Sequence, residues 1–208
     1  MTTDRFARAV VAAGLILGCT ANAVGAQQEE ISPACGDYHP NVIVVDGMVR
    51  KPGTFTVAQL AALPDQQTLN ISFLDRLNDT QSHTEHGPLL WTLLSLGAGG
   101  VEVDKLLDEQ YQGPNPYITL YVMMIATNGY QTLVSESEID PEYGNTPVLV
   151  SLVEDGVPMT QAPYANTSKA PAQLVVPSDQ RGGRYANRIC RIVVMNGALG
   201  PEVAQASD

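Results

Sequence analysis

Basic side chains are scarce in this 208-residue chain: 11 Lys and Arg stand against 22 Asp and Glu, a formal net charge of −11. A surface of that sign repels phosphate backbones and anionic lipid, which argues against nucleic acid and membrane surfaces as partners. Histidine and cysteine number three each, so any metal or thiol centre must draw on a small stock. No nucleophile-elbow pattern, phosphate loop or dinucleotide fingerprint is present, which removes the common hydrolase and nucleotide-binding signatures. Internal repeats and long low-complexity stretches are also missing. The apolar run from Ala9 to Gly18 is too short to cross a bilayer as a permanent helix.

That run instead suits an export signal over residues 1–26. Arg5 and Arg8 form a modest positive start, and Val24-Gly25-Ala26 is a small-residue cleavage site. The expected location is periplasmic or secreted. Ile16-Leu17-Gly18-Cys19 partly resembles a bacterial lipobox, so a lipid anchor through Cys19 is the alternative, with Leu17 standing where a small residue is usual. Cleavage after Ala26 leaves Cys35 and Cys190, and in an oxidising compartment such an isolated pair is expected to form a disulfide. It would tie a polar leader, residues 27–41, to the last strand. A tail is expected over residues 196–208.

Between them the pattern predicts one domain. Tyr117 to Thr127 and Tyr130 to Val134 are apolar, β-prone runs separated by Asn128-Gly129, which predicts a buried hairpin with a type I′ turn. Ser135-Glu136-Ser137-Glu138 has capping-box spacing and predicts one helical turn. A third strand is expected from Pro147 to Val153, ending at Asp155-Gly156. Upstream, strands are expected at Asn41 to Val45 and Thr68 to Phe73, with a helix over Val57 to Leu63 capped by Thr56. The stretch Asp75 to His86 is polar and predicts a long exposed loop. Leu89 to Leu96 predicts a helix with Leu90, Leu93 and Leu94 inward, and polar loops are expected at Asp108 to Pro116 and Thr160 to Ala172. Leu174 to Val176 and Ile189 to Met195 read as the closing strands.

An ordered set of motifs in this domain resembles the sulfite-oxidase-type molybdopterin-binding domain, in particular its small exported stand-alone members. The motifs are Thr127-Asn128-Gly129-Tyr130-Gln131, Ser135 to Ile139, Gly144 to Val150 and Asp155-Gly156-Val157-Pro158. Val45 to Thr56 with Leu60, Gly87-Pro88-Leu89-Leu90-Trp91, Leu174 to Pro177 and Arg181 to Tyr185 extend the resemblance over roughly residues 42–195. It implies an α+β fold: a single mixed-sheet domain with a few short helices.

The family places a molybdenum-ligating cysteine just after a strand before the Gly-Pro-Leu helix, a soft thiolate that sets the metal's redox chemistry. Here the corresponding stretch, Asn70 to Arg76, has no cysteine. Aligning Arg76 with the arginine that often follows in the family puts Ser72 in the cysteine's place, and a serine hydroxyl is a poor ligand unless deprotonated. The pterin's phosphate end would lie near Arg181-Gly182-Gly183-Arg184, where two glycines let backbone N–H groups approach and arginines can fork onto oxyanions. The competing explanation is that Arg181, Arg184, Arg188 and Arg191 pair with the abundant carboxylates while the glycines make a turn.

Two further features carry weaker expectations. His83 and His86 flank Thr84-Glu85 and are candidate zinc or copper ligands, with a solvated loop as the plainer alternative. Asn70, Asn78 and Asn166 begin sequons that matter only in a glycosylating host. Two functions follow. One is a cofactor-free module that binds a small anion or an exported partner protein. The other is a molybdenum-molybdopterin oxidoreductase with a non-cysteine metal environment. The missing cysteine favours the module. So does the export segment, because this cofactor is assembled in the cytoplasm and Arg5-Phe6-Ala7-Arg8 is not a twin-arginine signal.

Overall fold

The structure is a computed structural model, and it describes residues 31–95, 116–161 and 171–197. The expected signal, Cys19, the sequon at Asn166 and the tail beyond residue 197 lie outside the described residues. Within them the chain forms β1 (Val42–Gly47), β2 (Gly53–Thr56), α1 (Val57–Ala61), β3 (Gln66–Leu74), β4 (Thr80–Pro88) and α2 (Leu90–Leu94). There follow β5 (Leu120–Ala126), β6 (Gln131–Ser135), α3 (Glu136–Ile139), β7 (Leu149–Ser151), β8 (Val153–Glu154), β9 (Val157–Pro158), β10 (Gln173–Val175) and β11 (Ile189–Asn196). This is the α+β, mixed-sheet architecture that the motifs imply.

A five-stranded sheet runs in the order β2-β1-β11-β5-β6, with β1 and β11 parallel and the other neighbours antiparallel. A four-stranded antiparallel sheet runs β3-β4-β8-β9, and β7 pairs β10. The strand expected from Pro147 to Val153 is divided at Leu152, whose N–H donates to His86 O at 2.8 Å. Before that point it pairs with β10, and after it with β4. One core joins these layers. Ile43 and Val45 of β1, Val122 and Met124 of β5, and Ile192 and Val194 of β11 meet Leu60 of α1 and Leu90, Leu93 and Leu94 of α2. Alternation with period two aims the strand residues to one face, and the three leucines of α2 form one stripe.

The second face of the large sheet is closed by the N-terminal segment. A β-bulge between Ile189 and Arg191 leaves Cys190 as the extra residue and re-aims it. Cys190 then joins Cys35 in a disulfide, with Cα atoms 5.5 Å apart, in a small cluster with Ile125. The crosslink expected from the sequence is thus present, packed against the sheet face opposite the main core.

Thr56 caps α1 in a full capping box, its hydroxyl accepting from Gln59 N while the Gln59 side chain accepts from Thr56 N. The box expected at Ser135 does not form: Ser135 makes no side-chain cap, and Glu138 is held by Arg184 instead. The β5–β6 hairpin is present, but only Gly129 takes positive φ. Its loop closes through Gly129 N to Ala126 O and Ala126 N to Tyr130 O, a three-residue connection in which the glycine alone supplies the left-handed residue. The type I′ turn belongs to Asp155-Gly156, both at positive φ, joining β8 to β9.

The largest correction falls on Asp75 to His86. Most of it is not a loop but β4, paired with β3 over nine residue pairs from Gln66↔Pro88 to Leu74↔Thr80. The loop proper is Asp75 to Asp79. There the Asp75 carboxylate accepts from Leu77 N and Asp79 N, at 2.8 and 3.0 Å, and Asn78 takes φ 67. Those N–H bonds, Asp79's first, hold the Asp75 carboxyl below its ordinary value. The sequence carries no hydrophobic signal for this strand, because its outward face is polar and its inward positions, Glu85 and Gly87, are not hydrophobic.

Candidate ligand-binding cleft

The β3–β4 hairpin delivers its turn to the segment before β11. Leu74 N donates to Gln180 O at 2.9 Å, Leu74 bridges Arg181 in parallel, and the Arg181 guanidinium donates to Asn78 Oδ1 at 2.8 Å. Between the two chain segments lies a cleft of about 450 Å³. Phe73, Leu74, Asp75 and Arg76 line one side, and Arg181, Gly182 and Gly183 the other. Four of the six residues suggested for cofactor contact therefore meet in one place, although Arg76 and Gly182 are far apart in sequence.

Within the cleft the two glycines differ. Gly182 sits on the Phe73 ring, where an added Cβ would come within 2.6 Å of a ring carbon; a Cβ on Gly183 would meet nothing. Gly182, Gly183 and Arg184 form a 3-10 turn, closed by Tyr185 N donating to Gly182 O at 3.1 Å. The Gly183 carbonyl accepts from the Tyr130 hydroxyl of the central hairpin. Phe73 packs edge-on against Tyr185, ring centres 4.6 Å apart. Burial pushes the Tyr185 phenol up to about 12. Its oxygen has no hydrogen-bond partner among the described residues, like the buried side-chain oxygens Gln173 Oε1 and Asn187 Oδ1.

The charged side chains that line the cleft are two arginines and one carboxylate. Both oxygens of Asp75 are engaged, Oδ1 by the turn and Oδ2 by Gln81 Nε2 at 3.0 Å. Arg76 is exposed. Among the described residues Arg181 forms no carboxylate ion pair. The arginine cluster is thereby divided. Arg184 is clamped by Glu138 and Asp179 at 3.0 and 2.6 Å, which raises its pKa further, Asp179 contributing most. Arg191 forks onto Asp46 at 2.7 Å. The pairing explanation thus describes Arg184 and Arg191, and the cleft holds Arg181.

Ser72 is not in the cleft. It lies one residue before Phe73 on β3 and so points to the opposite face, where its hydroxyl accepts from Ser82 Oγ at 3.2 Å. Molybdenum–pterin therefore fits poorly with the residues present. Among the described residues no thiolate faces the cleft, because Cys35 and Cys190 are consumed in the disulfide, and Arg184 is occupied by carboxylates.

The two histidines are not brought together either. Three positions apart on a strand, they leave opposite faces of β4: His86 Nδ1 meets Thr68 Oγ1 at 2.8 Å, and His83 Nδ1 meets Asp155 Oδ2 at 2.9 Å. Only the strand geometry of β4 imposes that separation, and it sets His83 in the company of Glu154 and Asp155.

No family model matches the chain. No curated protein matches it either. Among solved structures it is similar to the sulfane dehydrogenase SoxCD from Paracoccus pantotrophus, with a TM-score of 0.52 and 16% sequence identity. The match covers 79% of this chain and 40% of that one, so this chain spans well under half of its structural neighbour. At such identity the likeness is one of fold, and it agrees with the molybdopterin-oxidoreductase-like fold that the motifs imply.

Proposed function

We propose that the chain is an exported, cofactor-free binding module, built on a molybdopterin-oxidoreductase-like fold, that takes a small anion in the cleft between Arg76 and Arg181. The observation that carries this is the convergence of two arginines on one concavity that, among the described residues, no cysteine faces. A guanidinium fork matches the planar oxygens of carboxylate, phosphate or sulfate, and the exposed Gly183 backbone allows close approach. Export, to the periplasm or the medium, is supported by the signal-like residues 1–26 and by a disulfide compatible with an oxidising compartment.

The test uses inorganic phosphate and sulfate as probes. A saturable rise in thermal stability is expected, worth about 2.7 kcal/mol at a hundredfold excess over the dissociation constant. Arg181→Ala should abolish it, and Arg184→Ala should leave the anion response of the remaining folded protein in place. Absence of any saturable response, or one that survives Arg181→Ala, would overturn the proposal.

The second reading, a molybdenum-molybdopterin oxidoreductase, is kept by the fold likeness to a dehydrogenase. Elemental analysis of protein from its native host separates the two: the module predicts no stoichiometric molybdenum, and one metal per chain would establish the enzyme.

A further inference from the structure

We infer that His83, Glu154 and Asp155 form a binding site for a divalent transition ion, which shares only the Phe73 ring with the residues that line the anion cleft. The His83 Nδ1 atom lies 2.9 Å from Asp155 Oδ2 and 3.7 Å from Glu154 Oε1. The three ligand atoms all fall within 4.8 Å of one another. Zinc bonds of about 2.0 to 2.2 Å in a tetrahedron place neighbouring ligands about 3.3 Å apart, so the two measured separations bracket the requirement. One imidazole and two carboxylates carry the charge that neutralises a divalent cation. The fourth position stays open to solvent, since His83 and Asp155 are partly exposed while Glu154 is buried.

The backbone makes this arrangement definite. His83 comes from the middle of β4, Glu154 ends β8, and Asp155 opens the type I′ turn. Glu154 is in register with Glu85 on β4, which sets it beside the His83 face of that strand. Thr84 then grips Asp155 twice: Asp155 N donates to Thr84 O, and Thr84 N donates to Asp155 Oδ1, both at 2.8 Å. The second bond fixes the carboxylate plane and turns Oδ2 toward the imidazole, the supporting role that outer hydrogen bonds play for metal ligands. Phe73, its ring centre 6.3 Å from that of His83, packs on the other side. Imidazole with carboxylate selects zinc and its first-row neighbours over magnesium or calcium, which prefer all-oxygen sites.

Without metal, an ionised Asp155 can only accept, so the Nδ1 atom that meets it carries the proton. An ion bound at Nδ1 takes that proton's place, and the ring remains a neutral ligand by carrying its N–H at Nε2.

The experiment takes the chain free of any histidine tag, strips it with a chelator and titrates it with zinc chloride near neutral pH. Calorimetry should show one saturable ion per chain. His83→Gln should weaken binding about tenfold or more, and so should Asp155→Asn, a change that keeps a residue able to hold the positive φ of the turn. His86→Gln, on the opposite face, should leave the affinity unchanged. No saturable binding to the parent protein would overturn the site, as would affinity that is indifferent to both His83→Gln and Asp155→Asn or that depends on His86. Because phosphate is not part of the titration, failure here leaves the anion cleft standing, and failure of the anion cleft leaves this site standing.

Discussion

Glu136 is buried where a carboxylate is costly, and its titration should be written into the stability of the fold. It opens α3 at 2% exposure, its Oε2 has no hydrogen-bond partner, and Asp140 stands one turn away. Burial first, and the Asp140 charge second, raise its pKa from 4.5 to about 7. The sign follows from proton binding. The folded state holds this proton more tightly than the unfolded chain, so the associated stability is fully present below the unfolded value and is lost as pH rises through about 7. The interval of 7 − 4.5 = 2.5 pH units, at about 1.36 kcal/mol each, amounts to about 3 kcal/mol. Glu136→Gln removes the ionisation while keeping shape and polarity. Urea unfolding of both proteins from about pH 4 to about pH 8 should show the variant gaining on the parent by about 3 kcal/mol across that window. A difference between the two that stays flat with pH, or shrinks as pH rises, would refute the reasoning.

Three further outcomes are expected. Thiol titration of the denatured, unreduced chain from Gln27 onward should find neither Cys35 nor Cys190 free; with a sequence separation of 155 between them, loss of the crosslink in Cys190→Ser should cost about 5 kcal/mol in the chain-entropy model, measured by denaturant unfolding. Arg184→Ala should destabilise by about 2 kcal/mol, because it strands Glu138 and Asp179 in a partly solvated ion-pair cluster, whereas Arg181→Ala should shift stability by less than about 0.5 kcal/mol in the same assay. Gly182→Ala should cost about 1–3 kcal/mol by driving a methyl into the Phe73 ring, Gly183→Ala should cost little, and Phe73→Leu should recover part of the Gly182→Ala loss in a double-mutant cycle.

What could be read from the chain and what could not divide along a physical line. The central hairpin, the α2 stripe and the closing strand were legible because each buries apolar residues at a period that the backbone itself imposes: Val122 and Met124 from β5, Leu90, Leu93 and Leu94 from α2, Ile192 and Val194 from β11. β4 was not, because its stabilisation comes from pairing with β3 and from polar partners such as Thr84 on Asn70 and Ser151 on Glu85, none of which leaves a hydrophobic rhythm. The consequence reaches the histidines: proximity in sequence groups His83 with His86, whereas alternation along β4 sends them to opposite faces and gives His83 to Glu154 and Asp155.

The arginine cluster shows a different limit. Arg181 and Arg184 are equivalent as residue types, and their spacing does not say which one a carboxylate will claim. That choice is made by α3, which brings Glu138 to Arg184 and thereby also removes the glutamate from the capping box that its spacing suggested. One tertiary ion pair therefore accounts for both departures, and it leaves Arg181 to be positioned by Asn78 from the β3–β4 turn. The cleft is thus a product of the same hairpin that the composition concealed: Asp75 shapes the turn, Asn78 holds Arg181 beside it, and Phe73 requires glycine at position 182. Disrupting the turn through Asp75→Ala should accordingly weaken anion binding in the cleft without removing either arginine, an effect that a purely electrostatic attraction to Arg76 and Arg181 would not produce, since loss of a nearby negative charge alone would strengthen it.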